Sequence, residues 1–178
     1  MEQNVNVWKA NLTNGLILGL IGIVYTLVIY FLDLSFNKIQ GYVFIFLQIV
    51  ILYFLVKSYR DNFLHGNITY GQAFGAGVII CLYYAILIAI FTYILYSVID
   101  PGLINKQLAF TEEMMLKKGL TQAQVDAGMA VQSKIMKPAI MAPVSIFGSM
   151  IWGIIISLIV GIFVRKEGNP LIETPSNQ

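Results

Sequence analysis

Residues 72–99 read QAFGAGVIICLYYAILIAIFTYILYSVI, an unbroken run from Gln72 to Ile99 without one charged side chain. Lipid offers no partner to a backbone N–H or C=O group, so only helices and closed barrels can cross it. Barrel strands alternate in character over about ten residues, and this run is apolar on every side. It therefore predicts a membrane-crossing helix. Three more stretches share its character: Ala10 to Leu32, Ile39 to Val56 and Pro138 to Val164. Each reaches the ~18–20 apolar residues that span a ~30 Å hydrocarbon layer. All eleven Lys and Arg and all nine Asp and Glu lie outside the four runs.

Composition agrees. A soluble domain carries about a quarter charged residues, whereas this chain of 178 residues carries 11% beside 58% hydrophobic. Four buried core helices in a soluble protein would leave too little chain to cover them. A net charge of +2 with no basic stripe excludes a nucleic-acid partner and leaves the lipid bilayer as the principal environment. The single cysteine, Cys81, permits no internal disulfide and reads as a small apolar filler. The run after Lys9 is too long for a signal-peptide core, and Asp33 follows it where a cleavage pattern would stand, so it reads as a retained first span.

The punctuation places the ends. Trp8 and Lys9 suit the head-group level before a span over about 10–32, and the second span, 39–56, is the shortest at about 27 Å. It should stand upright or recruit flanking residues. Thr69 and Gln72 form a capping box opening a span over 70–99. That helix is about 45 Å long, long enough to tilt or to project from the bilayer. Asp100-Pro101-Gly102 ends it, because proline cannot continue a helix. Residues 102–137 read as a helical hairpin: Leu103 to Lys118 is periodic, Gly119 is a C-cap candidate, and Thr121 with Gln124 repeats the capping box. Pro138 and Pro143 precede the regular part of a fourth span, 143–164, closed by Arg165 and Lys166. The expected fold class is all-α, an integral membrane four-transmembrane-helix bundle with an extramembrane helical hairpin between helices 3 and 4. It forms a single domain over 1–167, and the polar tail 168–178 reads as disordered.

Two ladders of small residues are the most specific internal signal. Ala73, Gly77, Cys81, Ala85 and Ala89 recur every fourth residue in the third span, as do Ser145, Ser149, Gly153, Ser157 and Gly161 in the fourth. Small side chains on one row let two backbones approach closely, which is how helices associate in lipid. The expectation is that spans three and four pack along them; a ladder facing a second copy of the chain, making a homo-oligomer, is the alternative. Gly15, Gly19 and Gly22 form a shorter patch on span one.

Chemistry is sparse. Transport usually leaves ionisable groups inside the membrane, and none of the spans holds Asp, Glu, Lys, Arg or His. Gln48, Thr26, Thr92, Ser157 and the tyrosines read as interhelical hydrogen-bonding groups, and Trp152 as an indole with a partner inside the bundle. His65 lies in a loop read as Lys57 to Thr69, and Glu112 and Glu113 point in different directions on a helix. No nucleophile, metal or phosphate motif accompanies them, so no cofactor and no enzymatic activity is expected. The sequons at Asn11 and Asn67 lie against spans and read as chance. Lys9, Lys57, Arg60, Arg165 and Lys166 hug the span ends more closely than the cations opposite, which puts both termini in the cytoplasm and the hairpin outside.

The order of features resembles a bacterial family catalogued as domain of unknown function 4199. The likeness rests on Tyr59-Arg60-Asp61, Ile68-Thr69-Tyr70-Gly71-Gln72-Ala73-Phe74, Ile99-Asp100-Pro101-Gly102, then Phe147-Gly148 through Ile155-Ile156-Ser157-Leu158-Ile159 and Arg165-Lys166. It runs from Leu12 to Lys166 and implies a small four-helix inner-membrane protein with no assigned activity. The combined expectation is a non-enzymatic structural or accessory subunit that meets a membrane-protein partner, or another copy, through the hairpin and its Met114, Met115, Met129 and Met136. The rival expectation is a small transporter or pore for a neutral solute.

Overall fold

A computed structural model describes residues 6–167, so the tail 168–178 lies outside the described residues. Six α-helices follow in chain order: α1 Val7–Phe31, α2 Lys38–Phe63, α3 Tyr70–Ile94, α4 Leu103–Lys117, α5 Gln122–Ile135 and α6 Pro138–Val164. A single π-helical turn, Leu95–Ile99, prolongs α3. No β-strand occurs among the described residues. Four helices are long and apolar enough to cross a membrane: Val7–Phe31, Ile39–Phe63, Tyr70–Ile99 and Pro138–Val164.

Four of the six helices, α1, α2, α3 and α5, start where a side chain can satisfy free amides. Asn6 Oδ1 accepts from the N–H groups of Trp8 at 3.0 Å and Lys9 at 3.3 Å, and Asn37 Oδ1 accepts from Ile39 at 2.9 Å. In the capping box of α3, Thr69 Oγ1 accepts from the Gln72 amide at 3.3 Å while Gln72 Oε1 accepts from the Thr69 amide at 3.0 Å. Thr121 and Gln124 do the same for α5. Between α4 and α5, Gly119 takes φ +79°, and its N–H donates to Leu116 O at 2.9 Å while Leu120 N–H donates to Met115 O at 3.3 Å. A left-handed residue is needed there, which is why glycine stands at the junction.

Two boundaries differ from the sequence reading. α2 runs through Lys57 and Arg60 to Phe63, so the loop is only Leu64 to Thr69. The charged turn is held by tertiary bonds: Tyr59 is buried, and Arg60 Nη1 donates to Val164 O at 3.2 Å, capping the end of α6. α6 begins at Pro138 and contains Pro143. Pro138 sits in the first turn, where a missing N–H costs nothing, and Pro143 removes one bond just inside it.

α3 is the central helix, with α1 on one side and α6 on the other, while α2 touches all three. Tyr25 Oη donates to Gln40 O at 2.6 Å and Asn14 Nδ2 to Leu55 O at 3.4 Å, which sets α1 and α2 antiparallel. Their common core includes Leu18, Leu52, Val56, Ile80, Ile156, Val160 and Val164. Where α2, α3 and α6 end together, an antiparallel bridge joins Ile68 to Lys166, with N···O distances of 2.8 and 2.9 Å. At the opposite end a smaller cluster of Phe91, Leu95 and Leu103 ties the start of α4 to Ile23, Leu27 and Tyr30 of α1. Phe36 stacks on Phe110 at 5.2 Å, and Met115 of α4 lies against Gly128 of α5.

The outward faces are large and apolar. Phe46 is 70% exposed, Phe147 72% and Phe163 71%. Monomeric soluble proteins rarely expose continuous apolar surface of this kind. Trp152 is among these residues at 52% exposed, facing outward instead of finding a partner within the bundle. On α6 the inward row is Gly153, Ile156, Ser157, Val160 and Gly161, which leaves position 152 on the opposite side.

Candidate functional site

Two adjoining features could carry a function: a closed seam between α3 and α6, and a cavity where the seam ends. The seam is built from the small-residue rows. All five residues of the α3 row, Ala73, Gly77, Cys81, Ala85 and Ala89, are buried. A Cβ placed on Gly77 would lie 2.7 Å from Ser157 Oγ, and one on Gly153 would lie 2.6 Å from Cys81 Cβ. Gly161 faces the Tyr70 ring at 3.1 Å and the Phe74 amide nitrogen at 3.6 Å. A methyl group at Gly77 or Gly153 would overlap the side chain opposite, whereas one at Gly161 would press on the Tyr70 ring. Ser157 Oγ donates to Gly153 O at 2.6 Å, which satisfies a hydroxyl with no water in reach.

The other face of α3 meets α1 differently. Tyr83 and Leu87 press directly against Gly15 and Gly19, and the Tyr84 ring would come within 2.7 Å of a Cβ on Gly22. Large residues of α3 thus fill glycine notches on α1. Beside this contact Asn11 and Asn14, both buried, hydrogen-bond each other at 3.1 Å, and Asn11 Nδ2 donates to Val7 O at 3.0 Å. Burial of Asn11 closes its sequon to modification. Gln48, singled out from the sequence, is also buried.

Ser145 and Ser149, the first two residues of the α6 row, are only half-buried. Ser145 lines a half-open cavity of about 510 Å³ between the ends of α1, α2, α3 and α6 and the helices α4 and α5. α1 contributes Tyr25, Thr26 and Tyr30, the third span Thr92 and Tyr96, and the two short helices Gln107 and Gln132. Apolar walls come from Ile29, Phe36, Leu95, Leu103, Ile135 and Val144. Among the described residues no Asp, Glu, Lys, Arg or His lines it. The π turn helps to shape it: Asp100 N–H bonds back to Leu95 O at 2.9 Å, and Tyr96 within the turn donates to Gln107 Oε1 at 3.0 Å. Tyr30 Oη donates to Asp100 Oδ2 at 3.2 Å, beside the Asp100 to Lys106 pair at 3.7 Å.

Along α3 the cavity lining reaches no further toward the seam than Thr92. Thr92 lies seven residues before the end of the π turn at Ile99, about 10 Å along the helix. Beyond it the Cys81 and Gly153 contact closes the bundle. Sequence reasoning had Thr26 and Thr92 as hydrogen-bonding groups and missed Gln40, Gln107 and Gln132. Their only common signal is an uncharged polar side chain near a helix end, which is too frequent to be diagnostic. No group of three or more His, Cys, Asp or Glu able to hold a metal occurs among the described residues. His65 is exposed at φ +52°, and Glu112 and Glu113 are exposed on α4.

These features define a small all-helical protein with four helices long and apolar enough to span a bilayer. A family model described as a protein of unknown function (DUF4199) matches residues 13–166, most of the chain, and the protein belongs to that family. No curated protein and no solved structure matches the chain.

Proposed function

We propose that the protein is a non-enzymatic accessory subunit of the bacterial inner membrane, with cytoplasmic termini and with α4 and α5 as an extramembrane helical hairpin offering the contact surface. One observation carries the reading. Leu116, Val131 and Ile135 are 47%, 58% and 43% exposed on α4 and α5, apolar side chains that suit contact with a protein partner or a second copy. The four methionines contribute less than their composition suggests, being half-buried, with Met115 turned onto Gly128.

The test is site-specific photocrosslinking in intact membranes at position 131 and, as a control, at position 147 on the outward face of α6. A discrete adduct at 131 and none at 147 supports the reading, and an adduct of twice the chain mass identifies the partner as another copy. Absence of any adduct from positions 116, 131 and 135 overturns it. Passage of a neutral solute is the second reading, favoured by the cavity and opposed by the seam beneath it. Flux through liposomes that is lost when the cavity is filled would reinstate it.

A further inference from the structure

We propose that the 510 Å³ cavity is a binding site for an uncharged amphiphile taken from the bilayer, of the monoacylglycerol class, its hydroxyl head group inside and its acyl chain leaving past Val144 of α6. The volume lies within the ~300–1,000 Å³ typical of small-molecule sites. The inference goes beyond the accessory-subunit reading and does not rest on it.

Polarity selects the class. Tyr25 Oη is committed to Gln40 O, Tyr96 Oη to Gln107 Oε1, and Ser145 Oγ to Ala142 O. Among the described residues Thr92, Gln132 and the Gln40 side chain make no hydrogen bond, and the Gln107 amide keeps its N–H donors. These groups stand ready for a ligand that both donates and accepts, as hydroxyls and esters do. Among the described residues no cation lines it, so a carboxylate or phosphate head would meet no counter-charge from them. The Asp100 carboxylate at the margin is held by Tyr30 and paired with Lys106, so that ion pair is neutral as a whole.

The rim selects an amphiphile over a water-soluble solute. Val144 of α6 is 52% exposed, so an apolar side chain borders the mixed polar and apolar lining on the side of the spans. A pocket filled from water would have the reverse order. An amphiphile lying in the bilayer can place its head inward while its chain stays in the acyl phase.

The experiment uses the full chain in lipid nanodiscs with a monoacylglycerol bearing a diazirine near the glycerol end. Label should concentrate on peptides containing Thr92 to Gln107 and Gln132 to Ser145, and unlabelled monooleoylglycerol should compete whereas oleate at pH 9 should not. Ser145→Phe fills the cavity and should cut labelling at least tenfold; Gln107→Leu removes an amide at similar volume and should cut it several-fold. If Ser145→Phe no longer elutes as a monodisperse species, Gln107→Leu decides. Equal competition by oleate overturns the proposal. So does label spread over Phe147 and Phe163 in proportion to their exposure, or labelling unchanged in the deciding variant. Crosslinking at 131 and labelling at 145 can fail separately.

Discussion

Along α6 a single row of small residues behaves in two ways. From Gly153 to Gly161 it presses against α3 so closely that a Cβ on Gly153 would meet Cys81 Cβ at 2.6 Å. At Ser145 the same row borders a cavity, and at neighbouring Gly148 an added Cβ would meet nothing within 4 Å. The spacing is identical. Along the closed half α3 offers Gly77 and Cys81, its small row continues through the buried Ala85 and Ala89, and past them Thr92, Leu95 and Tyr96 line the cavity. A small-residue row permits close packing without imposing it.

The sharpest way to break this comparison is to enlarge one glycine in each half. Gly153→Leu should lower stability by about 3 kcal/mol or abolish the folded monomer, since overpacked contacts without space force the helices apart. Gly148→Leu should change stability by less than about 0.5 kcal/mol, as surface substitutions do. Thermal unfolding in mild detergent, read beside size-exclusion profiles, checks both. Loss of oligomers alone in Gly153→Leu would move the seam to a subunit interface. Equal effects from the two variants would remove the distinction between the halves.

Asn14→Leu probes the closed half through its hydrogen bonds. Asn11 would lose its partner for Oδ1 and Leu55 O a second donor, so a loss of about 1 kcal/mol is expected, in the range measured for polar contacts between membrane helices. Arg60→Met tests the end of the seam, where the guanidinium caps Val164 O, and should also cost about 1 kcal/mol. Amide exchange at residues 164–166 should rise in that variant while exchange at Ala85 stays unchanged. Uniform acceleration would mean that Arg60 supports the whole bundle.

The closed half was much more legible in sequence than the open one. Gly77, Cys81, Gly153 and Gly161 announce themselves by spacing, because packing in lipid has few solutions and small residues are nearly all of them. The capping boxes at Thr69 and Thr121 were readable for the same reason, each being a local pattern with one geometric outcome. The cavity comes from six helices converging, and no window of sequence contains Tyr25, Thr92, Gln107 and Ser145 together. The charged end of α2 was misread because Arg60 is held helical by a carbonyl more than a hundred residues away. Trp152 was misread because an indole calls for a partner in a protein interior, whereas its place on α6 points outward.

The smallest expected effect is the most discriminating about the open half. Gly75 lies on α3 two residues before Gly77, yet a Cβ there would meet nothing within 4 Å. Gly75→Ala should therefore stabilise the helix by about 0.5–1 kcal/mol, the difference in intrinsic preference, where Gly77→Ala should destabilise. Thr92→Val should then leave stability within about 0.5 kcal/mol, because its hydroxyl faces a cavity and no protein group loses a bond. If Thr92→Val instead proves as costly as Asn14→Leu, the hydroxyl is part of a closed interhelical network, and the two ends of the seam are built alike.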